Sequence, residues 1–270
     1  MLVAFRVAST KSRKDLKIMA QMYSPRAVSQ TAGRAGVDEG LRAFMLGTYN
    51  YMALGVAATA AVVFALIANP SLMMAVGTGG FRWVVFAAIL GLGFFAHKLF
   101  YSGSVALAHG AYWTYCALWG ALIAPMIFMF MSKGMTGVVG QAFAIASATF
   151  LATSVIGYTT KRDMTGWGGF MSMASIGLII AMLVSFFFIS DPGTSKMMSL
   201  VISGLVVLLF SAVTAYETQE IKSMYLQRAS HGDETFTKRS SIFGAFMLYG
   251  SFVTLFVHIL NILGIMNSES

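Results

Sequence analysis

Charge is what this chain has least of. Only 10% of its 270 residues are Asp, Glu, Lys or Arg, 57% are apolar, and mean hydropathy is +0.75. A soluble domain carries about 25% charged residues, so this chain cannot solvate a globule of its own length. One cysteine, Cys116, excludes a disulfide framework and a multi-cysteine metal site. Inside an apolar run, it reads as a small core residue. G-x-S-x-G, Walker A, H-E-x-x-H and C-x-x-C are all missing. Gly166, Gly168 and Gly169 flank Trp167 in a helix-opening turn, not in the strand-turn-helix of a phosphate loop. The four histidines are too scattered for an i, i+4 metal pair. No enzyme activity and no cofactor are expected. The last apolar run carries no lysine for a retinal Schiff base, which closes an opsin reading.

What is present is length of apolar sequence. Seven stretches, near 43–69, 82–101, 104–131, 136–160, 166–190, 197–219 and 242–266, each reach the roughly 20 residues needed to cross a hydrocarbon core. Gly and Ala recur inside them, as in Gly55-Val56-Ala57-Ala58, and small residues let helices approach closely in lipid. Nothing resembles the short alternating segments of a membrane barrel. The fold class expected is all-α, a seven-helix transmembrane bundle over 37–270, preceded by a flexible basic tail over 1–36.

Basic residues orient the bundle. With the amino terminus inside, 15 of 18 Lys and Arg face the cytoplasm, and Arg82, Lys133 and Lys196 fall outside. This bias predicts N-in, C-out, so the net charge of +8 is a topology signal and not a nucleic-acid footprint. The tail lacks the apolar core and cleavage site of a secretory signal. Its Arg, Lys and Ser content with one acid, Asp15, is similar to a mitochondrial transit peptide. The alternatives are a solvated cytoplasmic tail, or translation starting at Met19 or Met22. The membrane expected is the bacterial inner membrane, with the mitochondrial inner membrane as the alternative.

Against this background one acid stands out. Nine of the ten Asp and Glu lie in the tail, in connecting loops or at the last residues. Glu217 lies at the inner end of the sixth run, in Ala215-Tyr216-Glu217-Thr218-Gln219. A carboxylate at membrane depth costs a few kcal/mol on insertion-type scales, which makes it a functional-site candidate. The plain alternative is a side chain that snorkels to the interface. In the seventh run, Ser251, Thr254 and His258 stand at i, i+3 and i+7 and share one helix face. Such a stripe faces protein or a water-filled cavity. On residue chemistry alone, His258 and His109 read as satisfied core histidines. The string Gly157-Tyr158-Thr159-Thr160-Lys161-Arg162-Asp163 reads as a capped turn, with Asp163 at a helix start and Lys161 and Arg162 at a helix end.

Together these strings resemble the Bax inhibitor-1 family in its bacterial branch, in register over about 37–265. The carriers are Tyr49-Asn50-Tyr51-Met52-Ala53-Leu54-Gly55, the Gly157–Asp163 string with Thr165-Gly166, the Glu217 string, and Leu248-Tyr249-Gly250-Ser251-Phe252 with Leu255-Phe256 and Leu263-Gly264. The resemblance implies seven helices with a central one wrapped by the others. It also implies a pH-sensitive calcium leak, in which two aspartates from the last two long helices share a proton at a cytoplasm-side gate. Partners implied for other members are a membrane-bound AAA protease and, in eukaryotes, cell-death pathways.

This chain departs from that pattern at the gate. One aspartate is replaced by Glu217 and the other by Ser251, which cannot ionise. The family's pairing arginine on the second helix has His97 or Lys98 as its nearest match. The first expectation is therefore a calcium leak with Glu217 as gate and weak calcium ligand, Ser251 as its hydrogen-bond partner, and His97 or Lys98 as a latch. Tyr216, Thr254 and His258 would line the path. The other is a non-transporting modulator of a membrane-bound AAA protease or other partner, acting through the tail and the 218–241 loop.

Overall fold

A computed structural model describes residues 25–77, 80–102, 104–188, 191–228 and 234–267. Among these described residues eight α-helices follow in chain order: α1 (Pro25–Ile67), α2 (Pro70–Gly77), α3 (Phe81–Ser102), α4 (Val105–Ser132), α5 (Thr136–Thr159), α6 (Gly168–Phe188), α7 (Pro192–Arg228) and α8 (Glu234–Asn267). A single 3-10 turn, Thr165–Trp167, leads into α6. No strand occurs among the described residues. Two compact units meet in sequence at Phe44/Met45. In the first, the described part is the helical segment from Pro25. The second holds the bundle and everything considered below.

Seven of these helices are long and apolar enough to cross a membrane, as the hydropathy pattern predicts. Helix α8 is the central one. In its apolar window 72% of residues are buried, against 6–33% in the other six. It packs against α3, α4, α5 and α7, and a helix that is apolar all round belongs inside a bundle. Its contact surface mixes small residues with rings: Gly244, Ala245 and Ser251 let neighbours close in, while Phe246 and Tyr249 stack on Tyr115 of α4 at 4.2 and 5.7 Å between ring centroids.

The helix ends are set by local chemistry. Ser104 accepts from the Leu107 amide at 3.2 Å and caps α4. Asp191 accepts from the Thr194 amide at 2.7 Å ahead of Pro192, the first residue of α7; this is a proline position that costs the helix no donor. Gly134 turns between α4 and α5 at φ +73°, the left-handed region that favours glycine.

Three sequence expectations differ from this architecture. The 218–241 stretch is mostly helix: α7 runs on to Arg228, and α8 begins at Glu234. The 1–36 tail is already helical from Pro25, while residues 1–24 lie outside the described ones. A short helix, α2, fills the connection near 69–81. One physical reason covers the first two. Apolar run length measures the hydrocarbon thickness a helix crosses, whereas good helix formers such as Gln219, Glu220, Lys222 and Leu226 carry the helix onward into water.

Candidate functional site

Glu217 is positioned by a close crossing of α5 and α7. A Cβ built on Gly157 would stand 2.2 Å from the Ala215 carbonyl oxygen, so only glycine lets the two backbones meet there. One turn further out, the connection that follows α5 is tied to α7. Gln219 Oε1 accepts from the Met164 amide at 2.7 Å, and Gln219 Nε2 donates to the Arg162 carbonyl at 2.7 Å. Lys222 Nζ donates to the Tyr158 carbonyl at 2.9 Å and lies over the Tyr158 ring. Asp163 closes the connection internally, accepting from both the amide and the hydroxyl of Thr165. These exposed hydrogen bonds hold the Asp163 carboxyl below the usual carboxylate range. The capped turn expected from the string is present, and Gln219 and Lys222 anchor it to the helix that carries Glu217.

Two residues before Gln219, the Glu217 side chain turns inward and meets α8. Ser251 Oγ donates to Glu217 Oε2 at 2.7 Å. Among the described residues this is the only hydrogen bond or ion pair at that carboxylate. Glu217 is only partly buried, and it lines a cavity of about 800 Å³ shared by α3, α4, α6, α7 and α8. The wall is mainly apolar. Its polar groups are few: Glu217, Ser251, Thr254, His258 and Ser175, with the Tyr115 ring beside them.

The stripe on α8 behaves as one face. Thr254 lines the cavity and donates back to the Gly250 carbonyl at 2.8 Å. His258 lines the far end and pairs through Nδ1 with Ser203 Oγ at 3.0 Å. It also lines a second cavity of about 470 Å³, with Ser195, Ser199, Ser203 and Asn261. Asn261 Nδ2 donates to Ser199 Oγ at 2.8 Å and Ser203 Oγ at 2.9 Å. Sequence reasoning stopped this stripe at His258. Asn261, at i+10 from Ser251, continues it, so the signal was there to be read. Ser199 and Ser203 carried no such signal in an apolar helix.

The other candidates lie elsewhere. His97 and Lys98 are exposed and make no ion pair with Glu217. His97 lies beside Tyr101 at 4.8 Å and edge-on to Phe243 at 6.4 Å between ring centroids. Helix α3 packs mainly on α4 and α8 and touches α7 through the Tyr101 hydroxyl, which donates to Met224 Sδ at 3.4 Å. Tyr216 faces the opposite way, with its hydroxyl against Gly168 at the start of α6; it lines neither cavity. His109 packs on the Tyr51 ring at 5.6 Å, a structural placement. No group of three or more His, Cys, Asp or Glu that could hold a metal occurs among the described residues.

The comparisons with known proteins agree with this architecture. The family model described as "Inhibitor of apoptosis-promoting Bax1" matches residues 41–268. An uncharacterized protein of Caulobacter vibrioides is 33% identical over 249 residues, covering 88% of this chain and 95% of that protein. An uncharacterized protein of Rickettsia prowazekii is 31% identical over 239 residues, with 88% and 96% covered. The inner membrane protein YbhL of Escherichia coli is 30% identical over 245 residues, with 89% and 97% covered. With seven helices long and apolar enough to cross a membrane, the last of them buried among the others, the chain belongs to the Bax inhibitor-1 family and is a multi-pass protein of the bacterial inner-membrane type.

Proposed function

We propose that this protein is a pH-sensitive cation leak of the inner membrane, with calcium as the ion and Glu217 as the gate. The observation that carries this reading is the Glu217 carboxylate, held by Ser251 at 2.7 Å and facing a cavity inside the bundle. An intramembrane acid facing a cavity marks an ion or proton pathway by default. The basic-residue bias supports a cytoplasmic side for the Glu217 end.

The chemistry differs from a two-carboxylate gate. Two acids held together share a proton and titrate as a pair. Here a hydroxyl takes the place of the second acid. When Glu217 is ionised, Ser251 donates to it; when Glu217 is protonated, it becomes the donor and Ser251 can accept. The contact survives both states, but the charge in the cavity does not. Tyr216 and Glu220 on the same helix and Tyr115 on α4 are ionisable side chains near this site. Calcium takes 6–8 oxygen ligands, and the cavity offers Glu217, Ser251 and Thr254, so discrimination among cations should be weak. Calcium flux into proteoliposomes tests the reading. Flux is expected in the wild type, changing with pH, and the pH response should be lost in Glu217→Gln. No flux above empty liposomes would instead favour the non-transporting partner of a membrane-bound AAA protease.

A further inference from the structure

The larger cavity has properties that an ion path does not need. Its wall is mostly apolar, and α3 and α6 both contribute to it. Helix α3 packs on α8 and α6 packs on α7, yet α3 and α6 form no packed interface with each other. Phe94 and Leu90 of α3 line the cavity and are 84% and 42% exposed.

Size and charge narrow what would fit. About 800 Å³ falls within the roughly 300–1,000 Å³ typical of small-molecule sites. Along α8 the lining runs from Phe246 to His258, about 18 Å at 1.5 Å per residue. The wall holds one carboxylate, Glu217, and no Lys or Arg. One oxygen of Glu217 accepts from Ser251, and no basic side chain reaches it. The other titratable groups on the wall are Tyr115 of α4 and His258, the latter at the far end on Ser203. An ionised acid in apolar surroundings is stabilised by a cation that brings hydrogen-bond donors. Ser251, which holds Glu217, stands five residues from Phe246 and seven from His258 on α8, so a cationic head on Glu217 leaves about 10 Å of wall toward His258 for a short chain.

We propose that this cavity binds a single-chain amphiphile bearing a protonated amine, admitted from the bilayer between α3 and α6, with its ammonium on Glu217 and its chain along α8. A carboxylate-headed chain would meet like charge there, and an alcohol would leave the acid without a counterion.

Trp119 lines the cavity and supplies the readout. In nanodiscs of zwitterionic lipid, a variant keeping Trp119 as its only tryptophan (Trp83, Trp113 and Trp167 replaced by Phe) is titrated with ω-bromooctylamine. The bromoalcohol and bromocarboxylate of equal length serve as partition controls. The amine should quench saturably at concentrations about tenfold below either control, the scale of one charge-assisted hydrogen bond. Adding Glu217→Gln should erase that preference. Adding Gly93→Phe should abolish saturable quenching by all three, because a Cβ at Gly93 meets nothing within 4 Å and the ring can enter the cavity without a clash at its base. Equal quenching by the three probes, a preference that survives Glu217→Gln, or unchanged binding in Gly93→Phe would each overturn the assignment. Quenching is read without flux, so this site and the leak stand or fall separately.

Discussion

Replacing Gly157 by Ala should loosen the helix pair that carries the gate. The added Cβ would lie 2.2 Å from the Ala215 carbonyl oxygen and 2.8 Å from Ala215 C and Cα. Ordinary contact begins at 3.4 Å, so the backbones must part by roughly 1 Å. A gap of that size forfeits about a quarter to a half of each van der Waals contact it opens. Overpacking costs about 1–3 kcal/mol, and the upper part of that range applies because the obstacle is backbone and cannot rotate away. Alanine returns about 1 kcal/mol of helix propensity. The net is a destabilisation of about 1–2 kcal/mol, or roughly 2–8 °C in Tm at 2–4 °C per kcal/mol. Thermal unfolding in detergent, followed by monodispersity, provides the assay. Gly140→Ala on the same helix is the control, since its Cβ meets nothing within 4 Å; it should leave Tm unchanged or raise it. If Gly157→Ala melts with Gly140→Ala, the close approach of α5 and α7 is not what fixes this region. Gly168→Ala should be milder than Gly157→Ala, because its obstacle is the end of the Tyr216 side chain.

Three further outcomes follow from the site. Gln219→Ala removes both hydrogen bonds that hold the 160–164 connection, each worth about 1 kcal/mol. Tryptic cleavage after Lys161 or Arg162, both exposed, should become faster at neutral pH. Ser251→Ala strips Glu217 of its one hydrogen-bond partner and should cost about 1–3 kcal/mol, whereas Ser251→Asp should turn the single-acid pH response of flux into one with two steps. Asp163 has its carboxyl held below the usual range by Thr165. Its contribution to the turn is therefore complete at neutral pH and is lost as pH falls through that lowered value. The protection of the Thr165 amide, relative to its intrinsic exchange rate at each pH, should fall on acidification, and Asp163→Asn should remove that pH dependence.

Much of this was legible in the sequence, for identifiable reasons. Run length and composition give seven spans because the bilayer imposes both. The Glu217–Ser251 contact could be anticipated because both residues fall within strings that resemble the family's gate. Which helix sits at the centre was not legible from apolarity, because lipid-facing and protein-facing surfaces are equally apolar. The centrality of α8 emerges only from its burial. The neighbours of His97 were hidden for a similar reason: its contacts with Tyr101 and Phe243 depend on α3 docking on α8. Gln219 looked like one more polar residue beyond a span. Its role depends on a partner 57 residues away, at Arg162, which periodicity cannot register.

The central claim is that one carboxylate, Glu217, with a hydroxyl partner, makes cation leak depend on pH. The direct test is calcium flux in proteoliposomes across a pH series, for wild type and Glu217→Gln side by side. The account predicts a pH-dependent flux in the wild type and a flux in the glutamine variant that does not change with pH. An identical pH response in both proteins would contradict it.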